Sequence, residues 1–253
     1  MRQFKRRVPV LSDNEIDIKA EELLKSYAPD FLSEPQMLDV EDFAEFYLDY
    51  SIYYTQLSNS GFIWGNMVFQ NSYIFKYDAE KNVADKEFVY ANTIVIETRI
   101  SSKEHALRST IAHEIGHGIF HRDYFCRNYQ PEQLAFSFED GADDAINAKY
   151  CATFCSGQSI QGNRNEPRRF KTDLDWIEHQ AKYFSAALLM PNKAIYMLFD
   201  DYKSTRPAYE NSSFINNVAD IFNVSVESTR IRIKSLSNVR AKENSTLPLF
   251  APV

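Results

Sequence analysis

At 253 residues, with 44% apolar and 25% charged side chains, the chain has enough apolar mass for one large folded domain or two small ones. Seven glycines and nine prolines exclude a long low-complexity linker, and a formal net charge of −7 counts against a surface built wholly for nucleic acid. The best apolar run, Phe184 to Met190, falls far short of the ~20 residues of a membrane span. The basic stretch Arg2 to Arg7 leads into Val8-Pro9-Val10-Leu11 and then Ser12-Asp13-Asn14-Glu15, so no secretory signal is expected. Cys126, Cys151 and Cys155 read as reduced thiols, and the expected location is cytoplasmic. Cys151 and Cys155 stand four apart, but no second pair lies near them, which argues against a structural zinc site.

Taken in chain order, Ser12 to Glu15 has the form of a capping box and opens a helix through Ile16, Ala20, Leu23 and Leu24 to about Tyr27. A second helix is predicted over Val40 to Leu48. From Ser51 to Glu97 short β-branched and aromatic runs (51–55, 62–64, 67–69, 73–75 and 93–96) alternate with Gly61, Asn71-Ser72 and Asp78 to Asn82. They predict a small, mostly antiparallel sheet. Ser101-Ser102-Lys103-Glu104 has a second capping-box pattern. The helix it would open carries Leu107, Ile111, Ile115 and Ile119 on one stripe, places His113 and His117 on another face, and ends near His121.

Glu139 to Asp144 has calcium-loop ingredients without EF-hand spacing and reads as a solvated turn. Asp173 to Leu189 is a strong helix capped by Thr172 or Asp173 and stopped at Met190-Pro191, after which Pro191 starts a helix through Ile195 and Leu198. Two further helices, Phe214 to Phe222 and Val226 to Leu236, flank the turn Asn223-Val224-Ser225, and the tail beyond Lys242 is expected to fray.

The chemistry concentrates in His113-Glu114-Ile115-Gly116-His117. Two histidines four apart on a helix share a face, so both imidazoles can reach one zinc ion. Glu114 is turned off that pair yet stays beside it, the position of a general base acting on water next to a metal. His121 extends the series by another turn, but ~12 Å of helical rise from first to last histidine prevents one ion from taking all three. The metzincin pattern would need histidine at position 123, which is Asp123. His121 therefore reads as a support or helix-end residue. Glu178 is the best third ligand, because Ala181 and Ser185 share its face and would allow a close helix crossing; Asp175 and His179 compete with it. Tyr124, His179 and Tyr183 are equal candidates to polarise a scissile carbonyl.

Three stretches make the chain resemble the ImmA/IrrE metallo-endopeptidases. They are Thr110 to His117 with His121 after it, Asp175 to Pro191, and Phe222-Asn223-Val224-Ser225 with Arg230 to Ile233 following. Lys182 and Ser185 stand where that family often has Asn and Ala. The resemblance covers roughly residues 92 to 236. It implies zinc held by His113, His117 and Glu178, catalysis by Glu114, and regulated cleavage of a protein substrate, often a repressor encoded nearby. The expected fold is α+β, with a zincin-like core over residues 1–200 and a C-terminal helical, helix-turn-helix-like segment over 201–253 packed on it. The alternative is a zinc-containing DNA-binding regulator. From Ser225 to Lys242 there are five basic residues (Arg230, Arg232, Lys234, Arg240, Lys242) against one acidic, Glu227. An ordinary helical hairpin with Ile231, Ile233 and Leu236 inward is the favoured reading of that segment.

Overall fold

The computed structural model describes residues 8–128, 172–204 and 207–246. The segment Glu139 to Asp144 and the pair Cys151 and Cys155 lie outside them. Helix α1 (Asp13–Tyr27) begins with the predicted capping box. The Ser12 hydroxyl accepts from the Glu15 amide at 3.3 Å, and the Glu15 carboxylate accepts from the Ser12 amide at 2.8 Å. Ile16, Ala20 and Leu24 form its buried stripe. The second helix covers Val40 to Tyr47, close to its predicted span, but only its first turn is α-helical. After α2 (Val40–Asp42) the chain widens into a π turn over Phe43–Tyr47, which buries Phe43 and Ala44 and leaves Phe46 at the surface.

Two small sheets follow. One has the order β1-β5-β2, built from β1 (Ser51–Thr55), β2 (Gly65–Val68) and β5 (Thr93–Glu97). Strands β2 and β5 are antiparallel, but β1 and β5 are parallel. The other is the antiparallel hairpin of β3 (Ser72–Asp78) and β4 (Val83–Val89). Strand β4 carries Asp85, Lys86 and Glu87 in its middle and has no apolar run to betray it. As half of a two-stranded ribbon it is held by its ladder and stays mostly solvated.

Helix α3 (Glu104–Phe120) contacts β2 and β5 on one side and α5 (Asp173–Leu189) on the other. Every residue from Thr110 to Gly118 is buried. The histidine face and the isoleucine face are thus both covered, and no solvent face separates them. The predicted capping box at Ser101 does not form. Thr98–Ile100 wind into a 3-10 turn in which Glu97 caps the Arg99 amide, so Ser101 closes that turn and donates to the Thr98 carbonyl. Lys103 occupies the N-cap of α3 without a side-chain bond, and Glu104 is held instead by the amide of Asn223. On α5 the capping box does form, between Thr172 and Asp175. Helix α4 (Arg122–Asn128) follows His121 directly.

Helices α6 (Asn192–Asp200), α7 (Ser212–Phe222) and α8 (Val226–Thr246) complete the described fold. Helix α8 runs past Lys242 to Thr246. Ile215, Val218, Phe222, Val224, Ile233 and Leu236 belong to the same apolar core as Ile16, Ile111 and Ile115. Burying each such side chain contributes roughly 1.5–3 kcal/mol. Ile231, expected inward, is 59% exposed, since it sits off the Ile233–Leu236 face. Two arginines tie these helices down. Arg108 of α3 donates to the carbonyls of Leu38, Phe222 and Asn223, which closes the C-terminus of α7. Arg232 of α8 donates to Asp17 at 2.7 Å, to Asn192 at 2.6 Å and to the Met190 carbonyl at 3.2 Å, while Tyr183 donates its hydroxyl to Asp17.

Candidate metal centre

Helices α3 and α5 cross closely where Gly116 of α3 meets Ala181 of α5. A Cβ added at Gly116 would lie 3.1 Å from the Ala181 Cα and 3.1 Å from a Phe184 ring carbon. The hydroxyl of Ser185 donates to the Ser109 carbonyl at 3.1 Å a little further along. This approach brings the α5 carboxylate to the α3 imidazoles. His113 Nε2 and His117 Nε2 are 2.9 Å apart; Glu178 Oε2 is 3.6 Å from the first and Glu178 Oε1 3.5 Å from the second. Donors bound tetrahedrally at Zn–N and Zn–O distances of ~2.0–2.2 Å lie about 3.3 Å from one another. The three side chains therefore surround a volume of metal-ion size, and together they form a group that could hold one.

The competitors for the third position are engaged elsewhere. Asp175 caps its own helix, and His179 pairs with Asp13 at 3.0 Å. Of the candidate carbonyl polarisers, His179 and Tyr183 both face carboxylates of α1, Asp13 and Asp17. Tyr124 packs edge-on against Phe125.

Glu114 lies outside the three-donor group and is fully buried. Strand β2 passes directly over it. A Cβ at Gly65 would meet Thr110 Cγ2 at 2.6 Å and Glu114 Oε1 at 3.0 Å. Gly65 was not singled out from sequence, although a glycine inside a strand signals a close approach of this kind. Gln180 was missed as well. Its Oε1 faces His121 Nε2 at 2.9 Å, its Nε2 donates to the Pro9 carbonyl at 2.7 Å, and His121 Nδ1 lies 3.0 Å from His117 Nδ1. The helix carries several other polar residues, among them Asp175, His179 and Lys182, so nothing in its sequence set Gln180 apart.

Compared with family models and with curated proteins, the sequence matches none. What the centre can do therefore rests on its own electrostatics. Burial, aided by the Lys182 and His121 charges, pushes the His113 imidazole down to about 3. Burial acts the same way on His117, with His113, His121 and Lys182 adding to it, and holds it well below the usual histidine range. Burial lowers His121 to about 4 against the opposing bond to Gln180. The imidazoles are neutral at pH 7, the form that binds metals. Glu178 is shifted the other way, up to about 7, by burial that Lys182 only partly offsets. A carboxylate so placed gains from a cation beside it.

These shifts give a pH prediction for the metal-free protein. An imidazole whose folded value is depressed contributes full stability above its unfolded value near 6.5 and loses it as pH falls towards the folded value. Glu178, raised in the fold, does the reverse: its contribution is present below about 4.5 and is lost as pH rises through about 7. Between pH 6.5 and 4, three imidazoles work against one carboxyl. The urea midpoint of the metal-free protein should therefore fall steadily on acidification through that window. A flat midpoint would contradict the buried, neutral state of the histidines.

Proposed function

We propose that the chain is a zinc-dependent endopeptidase of the ImmA/IrrE kind, with a zincin-like core, acting in the cytoplasm on a specific protein such as a transcriptional repressor. The observation that carries this reading is the convergence of His113, His117 and Glu178 from two helices beside a buried Glu114. Two neutral imidazoles and one carboxylate form a donor set suited to zinc that leaves a coordination position open. Zinc held there would supply Lewis acidity, polarising a carbonyl and acidifying nearby water. Glu114 takes the proton released when water attacks the peptide carbonyl and returns it to the leaving amine. Among the described residues no helix is long and apolar enough to cross a membrane, in keeping with a substrate met in solution.

Metal analysis tests the reading. The purified protein should carry about one zinc per chain, and Glu178→Ala should lose most of it while remaining folded. A protein that purifies without zinc and cannot be loaded would end the proposal.

DNA binding through the C-terminal hairpin finds less support. Arg232, one of its five basic residues, is buried against Asp17, and the turn at Asn223 is gripped by Glu104, His105 and Arg108 of α3. Arg230 remains at the surface, and Lys234 sits over the Tyr209 ring.

A further inference from the structure

His121 and Gln180 are both fully buried, and neither is among the proposed ligands. They form one unbroken line of hydrogen bonds from a backbone carbonyl to the metal centre, and the direction of every proton in that line is determined by its far end. The Pro9 carbonyl can only accept. The Gln180 amide nitrogen, 2.7 Å away, must be the donor there. That orientation turns the Gln180 oxygen towards His121 Nε2 at 2.9 Å. An amide oxygen can only accept, so His121 carries its proton on Nε2. A neutral imidazole has a single N–H, which leaves His121 Nδ1 as a lone pair. His117 Nδ1, 3.0 Å from it, must then donate. With its proton on Nδ1, His117 presents the lone pair of Nε2, and that atom faces His113 Nε2 and Glu178 Oε1 at 2.9 and 3.5 Å.

We propose that His121 and Gln180 are positioning residues that lock His117 in the Nδ1–H tautomer, with the polarity of the relay set by the carbonyl of Pro9. This rests on the zinc-site reading only for its purpose; the tautomers themselves are a property of the metal-free chain. A proline at position 9 suits the role, since it has no amide hydrogen with which to offer Gln180 a donor in place of its carbonyl. Partners of this kind, behind a ligating histidine, commonly change metal affinity by 10–100-fold when removed.

Two measurements test it. The first is nitrogen-15 NMR of the histidine side chains in the metal-free wild-type chain at neutral pH. The expected pattern is a protonated Nδ1 on His117 and a protonated Nε2 on His121. The opposite pattern on either ring overturns the proposal whether or not zinc binds. The second is zinc affinity by chelator competition for wild type, His121→Phe and Gln180→Met, with circular dichroism on the same samples. Each variant should raise the zinc Kd about 10–100-fold. An unchanged Kd in folded variants would show that the two residues only fill space. Should the variants fail to fold, the wild-type tautomers decide the matter. A wild-type chain that binds no zinc but shows the expected tautomers would defeat the zinc reading and leave the relay standing.

Discussion

Changing Glu114 to glutamine is expected to lower peptide hydrolysis by about 10² to 10⁴-fold while leaving zinc bound. Glutamine preserves the volume packed beneath Gly65 and the polarity of the side chain, so β2 and α3 should keep their separation. It cannot take the proton that water gives up on attacking the carbonyl. Because Glu114 is not among the three donors, its loss should not release the ion. His117→Ala should behave differently: it removes a donor, and metal and turnover should disappear together. The two variants separate chemistry from assembly. The assay is cleavage of a fluorogenic peptide mixture, with zinc content read on the same sample. Undiminished turnover in zinc-loaded Glu114→Gln would sink the role assigned to Glu114, even with the metal site correct.

The largest effect on stability is expected at Arg232. Its guanidinium is 2% exposed, and Asp17 beside it 6%. Removing one partner of such a pair leaves a charge in the interior with fewer bonds, which costs about 3–5 kcal/mol. Arg232→Met should destabilise by that amount in urea denaturation, since only the Tyr183 hydroxyl would remain among the side-chain bonds made to Asp17 here. Adding Asp17→Leu should recover much of the loss, because the stranded carboxylate is then gone. A loss below about 1 kcal/mol in the single variant would mean that water reaches Asp17 and that the pair does not fasten α8 to α1.

What the sequence discloses and what it hides follow from the range of the interaction. Caps depend on residues three apart: the capping box at Ser12 forms as read, and of the two caps offered for α5 it is Thr172 that serves, in a box with Asp175. The one at Ser101 has the same letters but loses to a competing local structure, the turn capped by Glu97, and to a distant partner, Asn223, that claims Glu104. The parallel pairing of β1 with β5 joins strands separated by three others, and no local pattern announces it. Within the metal centre, helix spacing points to His113, Glu114 and His117, and the small residues of α5 point to Glu178. The matching hollow at Gly116 passes unnoticed because its use depends on which helix crosses there. Gln180 is hidden for the same reason: its partners, His121 and the Pro9 carbonyl, come from elsewhere in the chain. Arg232 reads as a surface charge until Asp17 is seen opposite it, and Ile231 reads as core although Arg232 and Ile233 take the inward positions.

The bonds that close the structure also bear on when it can exist. Pro9 reaches Gln180 across 171 positions, and Asp17 reaches Arg232 across 215. Contacts this remote cannot form until both ends have been made, and their closure entropy is met late. During synthesis the motif helix emerges long before the carboxylate that completes its metal cluster, and the fastening at Arg232 comes later still. A nascent chain would therefore carry the three-histidine helix without its third donor or its final clasp. On the reading proposed here, cleaving activity would be withheld until the chain has been made past Glu178, and no separate inhibitor would be needed up to that point.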